Sequence, residues 1–140
     1  MEIKRIDLNE YYSLGVQTPV KMFLHGQEEE IKKFNQKLPA MIVVPGGGYA
    51  MTSEREADPI ALEYFTRHYN TFIVRYACAP YRYPTSLTQL ACAVDYVKKH
   101  ADEFNVDTNK IFAVGFSAGG HLLASLANAW NNLPVPVVDG

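Results

Sequence analysis

The 140-residue chain is of a length for one domain, and its balance of 48% hydrophobic and 20% charged residues is that of a folded globule with one core. A formal net charge of −2 and a pI near 6.1 leave no basic footprint for a phosphate backbone, because lysines cluster only in the pairs Lys32-Lys33 and Lys98-Lys99. The charged N-terminus from Met1 to Asp7 lacks a signal-peptide core, and no apolar run approaches the roughly 18 residues that span a bilayer. The expectations are a soluble, cytoplasmic chain and no nucleic-acid or membrane partner. Cys78 and Cys92 are too few for a disulfide framework and too far apart for a zinc knuckle, so both are expected to be reduced and structural.

In chain order, the first twenty residues mix charged and apolar positions and read as short strands or turns. Val20–His25 alternates and stops at Gly26, as a strand does. Gln27 to Lys37 is almost wholly polar, and Glu28-Glu29-Glu30 reads as a solvated loop or helix face. Ala40–Val44 is a continuous, β-branched run between prolines, the pattern of a strand buried on both faces, and three glycines follow it. Glu54 to His68 carries apolar residues at helical spacing, and Thr71–Tyr76 reads as the next strand. A Pro- and Tyr-rich loop leads to a helix that Ser86 can cap, with Leu87, Leu90, Ala91, Val94, Val97 and Ala101 on one stripe. The last strand is Ile111–Phe116, and the last helix runs from Ala118 to Trp130. Buried strands alternating with helices predict a three-layer α/β architecture with a mostly parallel sheet, in a single, incomplete domain over residues 1–140 with no linker before Asn131.

Two glycine-rich segments carry the chemistry. The strand from Ile111 feeds directly into Gly115-Phe116-Ser117-Ala118-Gly119 and then into a helix, so the G-x-S-x-G pattern stands in the strand-turn-helix setting that gives it meaning. Such a turn is tight enough to need glycine two residues before and two after the serine. It lifts the hydroxyl above the sheet edge at the positive end of a helix. A dinucleotide fingerprint would need glycine at position 117, and a Walker loop would need Lys-Ser or Lys-Thr after the glycines; neither is present. The second segment is Pro45-Gly46-Gly47-Gly48-Tyr49, directly after the strand from Ala40. Glycines there let main-chain N–H groups face a developing oxyanion with no side chain between, and removing one such donor typically costs about 3 to 4 kcal/mol of barrier.

On these two motifs the chain resembles the acetyl-esterase/lipase-like branch of the α/β-hydrolase superfamily, with an HGGG-type loop matched by Pro45–Tyr49 and a GxSAGGH-type elbow matched by Gly115–His121. The resemblance covers about residues 40 to 130. It implies Ser117 as the nucleophile of a carboxylic ester hydrolase and the N–H groups of Gly47, Gly48 and Ala118 as its oxyanion hole. It implies neither metal nor cofactor, and as substrate a small-molecule or carbohydrate ester, with acetyl the favoured acyl group.

Two departures qualify this expectation. Pro45 stands where many relatives carry histidine. In this fold the acid and the histidine follow the nucleophile along the chain, and after Ser117 the sequence holds only Asp139 and His121. His121, one turn into the elbow helix, reads as a packing or supporting residue, and His25, His68 and His100 all precede Ser117. A C-terminally truncated hydrolase, weak or inactive by itself, is therefore expected, with an exposed sheet edge beside the strand from Ile111 open to self-association. The alternatives are a non-catalytic binding or interaction module, and a small complete hydrolase that recruits His25, His68 or His100. Ser53-Glu54-Arg55-Glu56 reads as a helix cap with an ion pair, and Tyr76, Tyr81 and Tyr83 either wall a pocket or pack.

Overall fold

The computed structural model describes residues 1–26, 30 and 36–133; the Glu28-Glu29 part of the acidic run and Asp139 lie outside the described residues. Five strands form one sheet: β1 (Glu2–Asp7), β2 (Pro19–Leu24), β3 (Leu38–Val44), β4 (Asn70–Val74) and β5 (Val106–Gly115). Among the described residues the helices that pack with them are α1 (Asn9–Tyr12), α2 (Asp58–Phe65), α3 (Thr85–Lys99) and α4 (Ala118–Ala129). The strand order is β1-β2-β4-β3-β5. The pairs β1/β2 and β2/β4 are antiparallel, whereas β4/β3 and β3/β5 are parallel. The sheet is thus mixed, and its parallel half is the one that carries the glycine motifs.

The alternation along β3 explains the three layers. Ile42 and Val44 face a cluster with Phe72, Val74, Leu87, Leu90, Val97 and Leu122, which is the side of α3 and α4. Met41 and Val43 face the opposite cluster with Ile73, Ala57 and Ala61, which is the side of α2. A strand with helices over both faces needs apolar residues at every position, as the run Ala40–Val44 has.

Local chemistry moved several element boundaries. The helix expected over Glu54–His68 divides into a 3-10 turn at Glu54–Glu56 and α2, because Ala57 lies outside helical space (φ −106°, ψ −101°) and Pro59 starts the new helix. Ser86 does not cap α3, which begins one residue earlier, at Thr85, after Pro84 and without a side-chain cap. β5 begins at Val106 rather than Ile111: Val106 pairs with Leu38, and after a register irregularity Ile111 pairs with Ala40. The polar stretch Asp107-Thr108-Asn109 looked like loop, yet it continues the strand along an edge where polar side chains reach solvent.

Two buried amides hold the connections in place. Asn70 Oδ1 accepts the His25 N–H (2.9 Å) while its Nδ2 donates to Phe104 O (2.7 Å). Gln89 Oε1 accepts the Ala77 N–H (2.7 Å) while its Nε2 donates to Thr18 Oγ1 (2.7 Å). Both side chains are fully buried, and their use of donors and acceptors together is what makes that burial tolerable. Gln89 thereby fixes the segment between β4 and α3, which passes beside the glycine motifs.

Candidate active site

The two motifs meet because β3 and β5 are parallel neighbours in register, with Val44 opposite Gly115. Each strand therefore releases its glycine segment at the same sheet edge. The Phe116 N–H donates to Val44 O (3.2 Å), which keeps the chains together for one residue beyond the ladder. A Cβ on Gly46 would lie 3.1 Å from Ser117 Cβ and 2.5 Å from Phe116 O, so the loop and the elbow touch through backbone.

Within the elbow, Ser117 adopts φ 50°, ψ −116°, a conformation that non-glycine residues rarely take, and its side chain is exposed. The strain is held by close packing underneath. A Cβ at Gly119 would meet Val44 O at 2.1 Å, and one at Gly115 would meet Gly119 O at 2.6 Å, so the positions flanking the serine admit only glycine. Helix α4 starts directly after the serine, with Gly119 N–H donating to Phe116 O (2.8 Å) and His121 N–H to Ser117 O (2.9 Å). The hydroxyl stands at the positive end of this helix.

The glycine loop is bound from several sides. Gly47 and Gly48 have φ of 136° and 64°, and Tyr49 follows at 59°. The Gly46 N–H donates to Glu56 Oε2 (2.7 Å), Ser53 N–H to Gly46 O (2.8 Å), Tyr76 Oη–H to Pro45 O (2.5 Å) and Ala79 N–H to Tyr49 O (2.7 Å). Among the described residues, the N–H groups of Gly47, Gly48 and Ala118 donate to no group of the protein. They are free donors on the two segments that flank Ser117.

Glu56 is the neighbour of the glycine loop that sequence reasoning missed. The stretch Ser53–Glu56 looked like a cap and an ion pair. Glu54 does form an ion pair, with Arg75 on the end of β4 (2.8 Å), but Ser53 makes no side-chain cap and Glu56 turns back to the loop. No local pattern signals a carboxylate that accepts from a backbone ten residues earlier. Pro45, which has no N–H and no polar side chain, is held through its carbonyl by Tyr76, a buried phenol whose pKa burial raises well above its ordinary value. Tyr76 therefore packs. Tyr81 and Tyr83 are exposed and, with Tyr49, Cys78, Arg82 and His121, line a cavity of about 250 Å³ beside the site. Burial pushes the Cys78 thiol pKa up, which makes it a poor nucleophile.

The topology separates three of the four histidines from Ser117. His25 follows β2, His68 precedes β4 and His100 precedes β5, which places all three at the sheet edge opposite Ser117. At about 3.3 Å per residue, even the five residues of β4 separate those edges by roughly 17 Å. His25 Nε2 is paired with Phe65 O (3.1 Å) and His100 Nδ1 with Tyr96 O (2.9 Å). His121 is on the correct edge but its Nδ1 lies 2.7 Å from Tyr49 Oη. No histidine forms a hydrogen bond with Ser117 Oγ among the described residues. Recruitment of His25, His68 or His100 is thereby excluded.

Among the described residues no helix is long and apolar enough to cross a membrane. The sequence matches the BD-FAE family over residues 30–135. It is 31% identical over 124 residues to endo-1,4-beta-xylanase B of Butyrivibrio fibrisolvens, a match covering 85% of this chain and 19% of that protein. Among solved structures, MGS-M1, an α/β hydrolase from a Medee basin deep-sea metagenome library, superposes with a TM-score of 0.81 at 37% identity, covering 91% of this chain and 51% of that one. The acetyl ester-xyloside bifunctional hydrolase of Caldicellulosiruptor lactoaceticus superposes with a TM-score of 0.77 at 28% identity, covering 91% and 47%. The chain spans about half the length of these structures and about a fifth of the xylanase. Matched in sequence over residues 30–135, a range that includes both glycine motifs, and superposing on solved relatives over most of its length, the chain belongs to the BD-FAE family and has the fold of the α/β hydrolases.

Proposed function

We propose that this chain carries the nucleophile and oxyanion-binding half of a serine carboxylic ester hydrolase. The observation that supports this reading most is the meeting of the strained, exposed Ser117 with three free N–H donors, from Gly47, Gly48 and Ala118, at one sheet edge. In the reaction, Ser117 Oγ attacks the ester carbonyl while its proton passes to a base, and the carbonyl oxygen gains negative charge that the three donors receive. Collapse expels the alcohol, which takes up the proton, and water then hydrolyses the acyl-enzyme by the same steps.

A small acyl group, acetyl above all, on a carbohydrate is the favoured substrate class. The names of the xylanase and of the acetyl ester-xyloside hydrolase support it, as does the tyrosine-walled cavity, since aromatic faces stack on sugar rings. With no histidine at Ser117, this chain alone is expected to turn over slowly. Losing one member of a serine-histidine unit costs about 10⁶ in kcat and leaves roughly 10³ to 10⁴ over water. The test is covalent labelling by an alkyl fluorophosphonate, in which the Ser117 O–P bond forms as fluoride leaves. Labelling of the wild type that disappears in Ser117→Ala supports the reading, and an unlabelled wild type overturns it.

A further inference from the structure

The candidate oxyanion donors belong to two segments distant in sequence. Gly47 and Gly48 lie on the loop after β3, and Ala118 lies at the start of α4. Their mutual spacing is set by whatever joins loop to helix. On one side the join is the backbone contact of Gly46 with Phe116 and Ser117. On the other it is a side-chain pair: Tyr49 Oη stands 2.7 Å from His121 Nδ1, and the two rings are perpendicular with centroids 5.8 Å apart.

Both partners are themselves held. Tyr49 immediately follows Gly48, has its carbonyl bound by the Ala79 N–H (2.7 Å) and packs edge-on against Tyr76 at 6.0 Å. His121 is anchored through its own N–H to Ser117 O (2.9 Å), and its carbonyl accepts from Ser125 Oγ (2.9 Å). The φ of 59° at Tyr49 is unfavourable for an aromatic residue, and the contacts of its ring and hydroxyl hold it there. Both side chains also line the tyrosine-walled cavity of about 250 Å³.

We infer that Tyr49 and His121 are a positioning pair whose hydrogen bond sets the distance between the Gly47/Gly48 donors and the Ala118 donor. This rests on the oxyanion reading above. It gives the elbow histidine a task other than that of the base: it aligns the donors and leaves the proton of Ser117 to another group.

The test combines fluorophosphonate labelling with amide NMR on the full chain. Tyr49→Phe removes the hydroxyl and keeps the ring, so it is expected to lower the maximal labelling rate about 10- to 100-fold, with the half-saturating probe concentration little changed. His121→Ala is expected to match it, and the double variant to be no slower than either single one, since each removes the same bond. His121→Asn, whose amide reaches the place of Nδ1, is expected to restore the rate to within about threefold, which a general packing role would not predict. In the NMR spectrum, Tyr49→Phe is expected to shift the Ala118 amide and His121→Ala to shift those of Gly47 and Gly48. Labelling of Tyr49→Phe at the wild-type rate overturns the inference, and so do amides that stay in place across the segment boundary. An unlabelled wild type whose amides shift in this crossed pattern overturns the hydrolase reading and supports the pair as the tie between the segments.

Discussion

β4 and β5 look alike in sequence and differ in the fold. Thr71-Phe72-Ile73-Val74 and Ile111-Phe112-Ala113-Val114 are both apolar runs with β-branched residues, yet all five residues of β4 are buried, whereas in β5 only Val106 is. The difference is one of neighbours. β4 lies between β2 and β3 under helices on both faces, while β5 has β3 on one side and no strand on the other among the described residues. Beside β5 and α4 opens a hollow of about 440 Å³, lined by Val94, Ile111, Phe112, Leu123, Leu126 and Trp130, in which Phe112 is 49% and Trp130 54% exposed. The strand that delivers Ser117 is thus the least covered of the two, and its order depends on β3 and on the packing of the elbow.

The largest test of that comparison is a pair of truncations. Phe72→Ala is expected to cost about 3 to 5 kcal/mol in urea unfolding, because it empties a closed site. Phe112→Ala is expected to cost about 1 kcal/mol, since half of its ring already meets solvent. Equal costs would mean that β5 is covered in solution. Gly119→Ala probes the close packing of the elbow that follows β5. Its methyl would meet Val44 O at 2.1 Å, so a loss of about 1 to 3 kcal/mol is expected together with loss of fluorophosphonate labelling, and a variant that labels normally would show that the elbow relaxes freely.

Glu56→Ala leaves the Gly46 N–H without its acceptor and is expected to cost about 1 to 2 kcal/mol and to slow labelling, with Glu56→Gln intermediate; the measurement is labelling rate beside the melting temperature. The smallest effect is expected at the end of β2, far from β5. Burial lowers the pKa of His25 below 6.5, so the folded state takes up its proton less readily than the unfolded one. Its contribution to stability is full above pH 6.5 and is lost as pH falls through the lowered folded pKa. His25→Phe is expected to flatten that part of the profile of melting temperature against pH, and an unchanged slope would remove His25 as its source.

Much of this was legible beforehand because short-range rules govern it. The run Ala40–Val44 could only suit a strand buried on both faces, and Gly115-Phe116-Ser117-Ala118-Gly119 after an apolar strand could only suit a tight turn into a helix. The boundaries that shifted are those where weak local signals compete: the polar start of β5 at Asp107-Thr108-Asn109, and the break at Ala57 that Pro59 fixes. Glu56 and the Tyr49–His121 pair were illegible because each joins residues far apart along the chain, by ten and by 72 positions, through a fold that no local pattern encodes.

By itself, then, the sequence determined the alternation of strands and helices and the need for glycine around Ser117, since periodicity and backbone sterics act over a few residues. Only the tertiary structure decided that Val44 stands opposite Gly115, so that two glycine segments share one edge, and that three of the four histidines stand at the other. Strand order and register are set by which faces find partners in three dimensions, and the neighbours of Ser117 follow from that choice.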